Sequence, residues 1–224
     1  MNFKIKVDKL RENIAEVCYK TNRDPDGICI IAATKYADVK QIQEVLGLGI
    51  KNFGENRASD LLEKSKGIKG DAIWHFIGHL QSRKAKLVVP VVEYIHSIDK
   101  IKTLKKVGRE AEKNNKVQKV LIEVNISGEE SKYGISERDI NNFIIEAKGI
   151  KNIELRGFMT MAPYTSDFNL IREIFKRLSV IKKEFNKKFV DLKLTELSMG
   201  MSNDYRIAIE EGATMIRVGS IIFK

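Results

Sequence analysis

The sequence predicts a closed (β/α)8 barrel of the TIM type, and three observations point to it. Short apolar runs alternate with amphipathic helical segments along the whole chain. Eight such runs can be marked, and strict alternation over this length implies a parallel sheet with right-handed crossovers. Polar residues and glycines gather just past the carboxyl ends of the runs, where parallel α/β folds place their ligands. An open doubly wound sheet is the alternative arrangement.

Each element has its own reason. Ile5, Leu10, Ile14, Val17 and Cys18 recur at near-helical spacing, so an amphipathic helix is expected over residues 3–22, ended by the turn chemistry of Asp24-Pro25-Asp26-Gly27. This extra amino-terminal helix would stand in for one missing after the last strand. Ile28 to Thr34 is apolar almost without a break, as expected of a strand covered on both faces. Asp38 can cap a helix at 38–47, which Gly47 and Gly49 close. Further strands are expected near 50–53, 73–77, 94–98, 119–126, 153–159, 194–198 and 214–218. Helices are expected near 56–66, 81–90, 99–114, 136–148, 168–188 and 203–211. No linker or shift in composition divides the chain, so residues 1–224 are read as one domain.

Composition narrows the function classes. With 43% hydrophobic and 31% charged residues, the chain is an ordinary globular sequence. No apolar run approaches the roughly 20 residues a membrane span needs, and the start lacks a signal-type apolar core, so the cytoplasm is expected and no membrane. The net charge is +10, but the lysines are scattered and sit largely on helix faces, as in Lys182, Lys183, Lys187 and Lys188. Without an aromatic RNA-binding run, a zinc finger or a basic arm, a solvated basic surface is expected rather than a specific nucleic-acid partner. Cys18 and Cys29 lack metal-ligand spacing and read as small buried side chains. No extra apolar surface is evident, so a monomer is expected.

The barrel reading sorts residues by position. Those falling at the carboxyl-terminal mouth are Lys35, Glu55, Asn56, His79, Ser97, Asn125, Met159, Thr160, Ser198 to Ser202, Arg217, Gly219 and Ser220. Lys35 follows directly on an apolar strand, so partial loss of water would lower its pKa and free the amine that imine chemistry needs; the plain alternative is a strand-end lysine in solvent. The loops after strands seven and eight are the recurrent phosphate site of such barrels. Ser202 reads there as a helix N-cap, and the Gly219 and Ser220 backbone is small enough for amides to approach an anion. Arg217 would lie across the mouth, either against a ligand or paired with Glu210, Glu211 or another mouth carboxylate. Other patterns fail. His75-Phe-Ile-Gly-His79 has the spacing of a metal pair but lacks the Glu and lies on a strand and its turn. Gly200-Met-Ser202 lacks the second glycine of a nucleophile elbow. No metal site and no catalytic set is expected, and His79 reads as either a ligand contact or a structural histidine.

Taken together, several segments resemble the pyridoxal phosphate homeostasis protein family, whose barrel is shared with the N-terminal domain of alanine racemase. They are Ala33-Thr-Lys-Tyr36, Asn52-Phe-Gly-Glu-Asn56, Trp74-His-Phe-Ile-Gly-His-Leu-Gln81, Val124-Asn-Ile126 with Lys132-Tyr-Gly134, Leu155-Arg-Gly-Phe-Met159, Leu197-Ser-Met-Gly-Met-Ser-Asn-Asp204 and Met215-Ile-Arg-Val-Gly-Ser220. The resemblance implies a carrier of pyridoxal 5′-phosphate (PLP) acting in vitamin B6 and amino-acid homeostasis, without established turnover and with PLP-dependent apoenzymes as candidate recipients. It implies an aldimine at Lys35 and Arg217 at the pyridine nitrogen. Ser202, Gly219 and Ser220 would hold the phosphate, Ser198 and Met199 would line the same loop, and Asn56, His79 and Met159 would surround the ring. Arg83 departs from the family, where many members carry Asn, and the chain stops at Phe223-Lys224 where members continue with Gly. A PLP-dependent enzyme such as an amino-acid racemase is the alternative function. Such an enzyme would need a second acid/base group, which this fold takes from an additional domain.

Overall fold

The computed structural model describes residues 2–129 and 132–224. Eight parallel strands close into a barrel in sequence order: β1 (Cys29–Ala33), β2 (Asn52–Glu55), β3 (Ile73–Phe76), β4 (Tyr94–Ile98), β5 (Gln118–Glu123), β6 (Ile153–Met159), β7 (Glu196–Ser198) and β8 (Met215–Val218). The helices are α1 (Phe3–Lys20), α2 (Val39–Gly47), α3 (Ala58–Gly67), α4 (Ala85–Val88), α5 (Ile101–Lys113), α6 (Ile140–Lys148), α7 (Phe168–Lys188), α8 (Tyr205–Glu210) and α9 (Ser220–Phe223). Closure is made where β1 pairs with β8, Ala32 opposite Val218. None of the helices among the described residues is long and apolar enough to cross a membrane.

The elements follow their sequence reasons, with differences that include a shorter β5 and later starts for β7 and α8. The stripe that α1 buries is Phe3, Val7, Leu10, Ile14, Val17 and Cys18, so Ile5 falls off it and stands exposed. The second strand lies two residues later than expected, because Gly49 turns the chain at φ +83° and Ile50 packs into the outer core first. The helix expected at 81–90 is only a 3-10 turn at Ser82–Lys84 followed by the single turn α4. Pro90, which cannot donate a backbone hydrogen bond, comes just beyond it. Finally, β8 is followed by a helical turn of its own, α9. Helix α1 packs against α2, α8 and α9, and the Phe3 ring meets Phe223 edge-on at 6.0 Å. Asp38 does cap α2, in a reciprocal capping box with Gln41.

Two cores result. The outer one lies between strands and helices and includes Phe53, Ile95, Leu104, Phe158, Phe175 and Leu178. The inner one fills the lumen with Ile31, Tyr94, Leu121, Met159 and Met215. Among these apolar groups the lumen also buries His75, His96, Ser198 and Arg217. Buried polar groups of this kind are retained only when hydrogen-bonded.

Candidate functional site

At the end of β1 the chain is tied down before it turns. The Thr34 amide donates to the Gly54 carbonyl at 2.9 Å, and its hydroxyl donates to Glu55 Oε1 at 2.6 Å. The Lys64 ammonium bonds that same oxygen at 2.6 Å and the Thr34 carbonyl at 2.7 Å. A turn closed by the Ala37 amide on the Thr34 carbonyl then carries Lys35 out of the strand. Its side chain is exposed, with Nζ 5.0 Å from the centre of the Tyr36 ring; Lys224 Nζ lies 4.7 Å from the same ring. A hydrogen bond from Lys35, its charge and then the charge of Lys224 hold the Tyr36 phenol below its usual range. The expected partial burial of Lys35 is therefore corrected. Thr34, not Lys35, is the last buried residue of this strand end, because its hydroxyl has Glu55 to bond.

Across the β1–β8 seam lies a cluster of backbone amides. Gly200 adopts φ +91°, and a Cβ there would stand 2.5 Å from Ala208 Cβ, so only glycine fits. Its carbonyl accepts from the Arg217 amide at 2.9 Å. The Ser202 hydroxyl accepts from the amides of Gly219 at 3.2 Å and Ile221 at 3.4 Å. Ser202 is not the N-cap expected from the sequence. Helix α8 begins at Tyr205 with Asp204 in the cap position, and Asp204 Oδ1 takes the Met201 amide at 2.5 Å. Gly219 packs so closely on β1 that a Cβ would lie 2.9 Å from the Ala33 carbonyl oxygen. The exposed Ser220 follows at the start of α9.

Arg217 points into the lumen and is 4% exposed. Nη1 donates to Ser198 Oγ at 2.6 Å and Nη2 to the Thr160 carbonyl at 3.0 Å. Burial brings its pKa down to about 10, opposed by the charges of Asp204 and Glu123, so it stays protonated at neutral pH. Glu210 and Glu211 are not its partners; both pair with Arg172 on the outer surface. Glu123, at the end of β5, is 3% exposed. Burial pushes its carboxyl up to about 7, the Asp99 charge adding to the rise and Arg217 opposing it.

The remaining candidates divide. Met159 lies in the lumen beneath the mouth, and Ser198 is fully buried in its bond to Arg217. Met199 faces away, into the outer core. The His79 ring stacks on Tyr133 at 3.8 Å, with Nδ1 3.6 Å from Asp99 Oδ2. His79 Nδ1 and Asp99 Oδ1 are buried without hydrogen-bond partners among the described residues. Asn56 and His79 share the wall of a hollow of about 230 Å³ with Gln81 and Lys84. Sequence reasoning missed His96, Asp99, Glu123 and Lys64. A polar residue on the inward face of an apolar strand was the available signal for His96 and Glu123.

A lysine-bearing turn that adjoins the Gly219 turn across the β1–β8 seam, with a buried guanidinium in the lumen and unpaired polar atoms at His79 and Asp99, suits a ligand carrying a carbonyl, an anion and a ring nitrogen. The chain matches the family described as alanine racemase, N-terminal domain, over residues 5–224. The class is thus the alanine racemase-type barrel. A pyridoxal phosphate homeostasis protein of Aquifex aeolicus (strain VF5) is 35% identical over 100% of this chain and 98% of its own. Another, from Synechocystis sp. (strain PCC 6803), is 36% identical over 89% of this chain and 92% of its own. The PipY protein of Synechococcus elongatus PCC7942, solved with PLP bound, superposes with a TM-score of 0.85 at 30% identity, covering 94% of this chain and 100% of that one. Alanine racemase of Clostridium difficile 630 shares the fold, with a TM-score of 0.76 at 15% identity, over 99% of this chain and 56% of that one. The chain belongs to the pyridoxal phosphate homeostasis protein family.

Proposed function

We propose that the chain, as one domain, holds PLP at the carboxyl-terminal mouth and acts as a monomeric carrier in cytoplasmic vitamin B6 homeostasis, with Lys35 as the covalent anchor. The observation that carries this reading is the β1–β8 seam, where Ala32 pairs with Val218 and Gly219 packs against Ala33. That contact sets the Lys35 turn beside the amides gathered at Ser202. When bound, PLP supplies an aldehyde that reacts with amines and a ring that stores electron density. Lys35 is the amine that would hold PLP through that aldehyde. Ser202, Gly219 and Ser220 hold the phosphate. Arg217, protonated and unable to accept, donates to the pyridine nitrogen and keeps a proton off it, which weakens the ring as an electron sink. Asn56, His79 and Met159 flank the ring, Ser198 steadies Arg217, and Met199 backs the loop from the outer core. The exposure of Lys35 favours a carrier, because an incoming amine of a recipient apoenzyme can reach the link. Incubation with PLP should give a visible imine absorption band that Lys35→Ala abolishes; a band surviving in that variant would remove Lys35 from the role.

One observation favours a second reading, a PLP-dependent enzyme such as an amino-acid racemase. Glu123 is a buried carboxyl with a pKa of about 7 at the mouth, the condition of a general acid/base at neutral pH. Cα–H exchange of alanine in D2O separates the two readings. Exchange at roughly 1 s⁻¹ or faster, lost in Glu123→Gln, would establish the enzyme; its absence supports the carrier.

A further inference from the structure

The polar groups of the lumen stand in single file from one end of the barrel to the other. Asn52, at the start of β2, lies on the wall of a cavity of about 830 Å³ at the amino-terminal end, together with His75 and Tyr94. Its Oδ1 is 3.0 Å from His75 Nε2. His75 Nδ1 is 2.9 Å from His96 Nε2, and His96 Nδ1 is 2.8 Å from Ser198 Oγ. Ser198 Oγ in turn meets Arg217 Nη1 at the mouth. Tyr94 stacks flat on His75, ring centres 5.3 Å apart.

The direction of every proton in this file follows from its two ends. A guanidinium can only donate, so Ser198 Oγ accepts from Arg217. The Ser198 hydroxyl proton then goes to its other partner, His96 Nδ1. Burial keeps both imidazoles neutral, His75 down to about 4 and His96 well below its usual range. His96 therefore carries its proton on Nε2 and donates to His75 Nδ1. His75 likewise carries its proton on Nε2 and donates to Asn52 Oδ1. The far end agrees, since an amide oxygen can only accept. Each donor is used once, and reversing the file would leave the Ser198 proton without an acceptor in it.

We propose that His75 and His96 are positioning residues. With Asn52 as terminal acceptor, they form a one-way hydrogen-bond file that fixes the Arg217 guanidinium and couples the amino-terminal end of the barrel to the ligand at the opposite mouth. What Arg217 faces there rests on the PLP reading above; the file itself does not. Asn52, half-buried and remote from the mouth, is the place to perturb it. A carboxylate at that position polarises the file toward itself and strengthens the Ser198–Arg217 bond, whereas an aliphatic side chain leaves the His75 donor unpaired.

The test has two parts. Nitrogen-15 NMR of histidine-labelled protein without PLP, at neutral pH, should show His75 and His96 both as Nε2–H tautomers with slowly exchanging protons. An Nδ1–H tautomer or an imidazolium at either residue would overturn the file. In PLP-loaded protein, Asn52→Asp and Asn52→Leu should move the visible band in opposite directions. His96→Phe should broaden or remove the slowly exchanging Arg217 Nη signals. PLP bound with an unmoved band in both Asn52 variants would overturn the coupling. Failure of the wild-type chain to take up PLP would instead overturn the cofactor reading and leave the tautomer result to judge the file.

Discussion

Glu123 and the two lumen histidines store opposite pH dependences in one barrel. The folded pKa of Glu123, about 7, lies above its ordinary 4.5. Its contribution to stability is therefore complete below about pH 4.5 and is lost as pH rises through 7. Replacement by glutamine, which cannot ionise, should raise stability relative to the parent by up to about 3 kcal/mol at pH 8 and by little at pH 4. Denaturant unfolding at the two pH values measures it, and an equal effect at both would place Glu123 in water. For His75 and His96, burial depresses the pKa, so their contribution is present above about 6.5 and lost as pH falls. Each buried neutral imidazole then adds a slope of about 1.4 kcal/mol per pH unit below that point. Between pH 4.5 and 6.5 Glu123 offsets one of the two, so Glu123→Gln should steepen the acid limb by about one proton. Cys29, only partly buried where a fully buried side chain was expected, has its thiol pushed up to about 12 by burial and the neighbouring Glu196, so a thiol reagent should modify it only slowly at neutral pH in the folded chain.

The decisive element contact is the one between the end of β1 and the turn into α9. Gly219→Val would drive a side chain into the Ala33 carbonyl, which no flexible neighbour can yield. PLP affinity should fall by about tenfold or more, equivalent to about 1.4 kcal/mol, while the far-ultraviolet spectrum stays that of the parent. Unchanged affinity by fluorescence titration would show that the seam does not shape the site. Most elements were legible because period and composition declare them. The apolar run ending at Ala33, the Asp38–Gln41 box and the long stripe of α7 needed only local chemistry. Elements set by tertiary contact were not. Helix α4 shrinks to one turn ahead of Pro90, and α8 starts at Tyr205 because the Ser202 hydroxyl is taken by the amides of Gly219 and Ile221 that follow β8. The mouth residues were mostly readable as a set, since polar groups following apolar strands stand out. The lumen file was not, because its members come from β2, β3, β4, β7 and β8 and meet only when the barrel closes.

At the scale of the molecule, a hydrogen-bond file in the lumen joins a cavity at the amino-terminal end of the barrel to the polar mouth at the other. The mouth offers an exposed amine and a set of amides; the lumen behind it carries a buried guanidinium held through Ser198 and two histidines. With 40 Lys and Arg against 30 Asp and Glu the chain carries a net charge of +10, which favours the approach of anionic ligands to the molecule as a whole. The most direct measurement is borohydride reduction of the PLP-loaded protein followed by peptide mapping. The reduced pyridoxyl group is expected on Lys35, in a stoichiometry near one per chain. A label found on Lys64, Lys224 or any other lysine, with Lys35 unmodified, would contradict the assignment of the mouth as the PLP site.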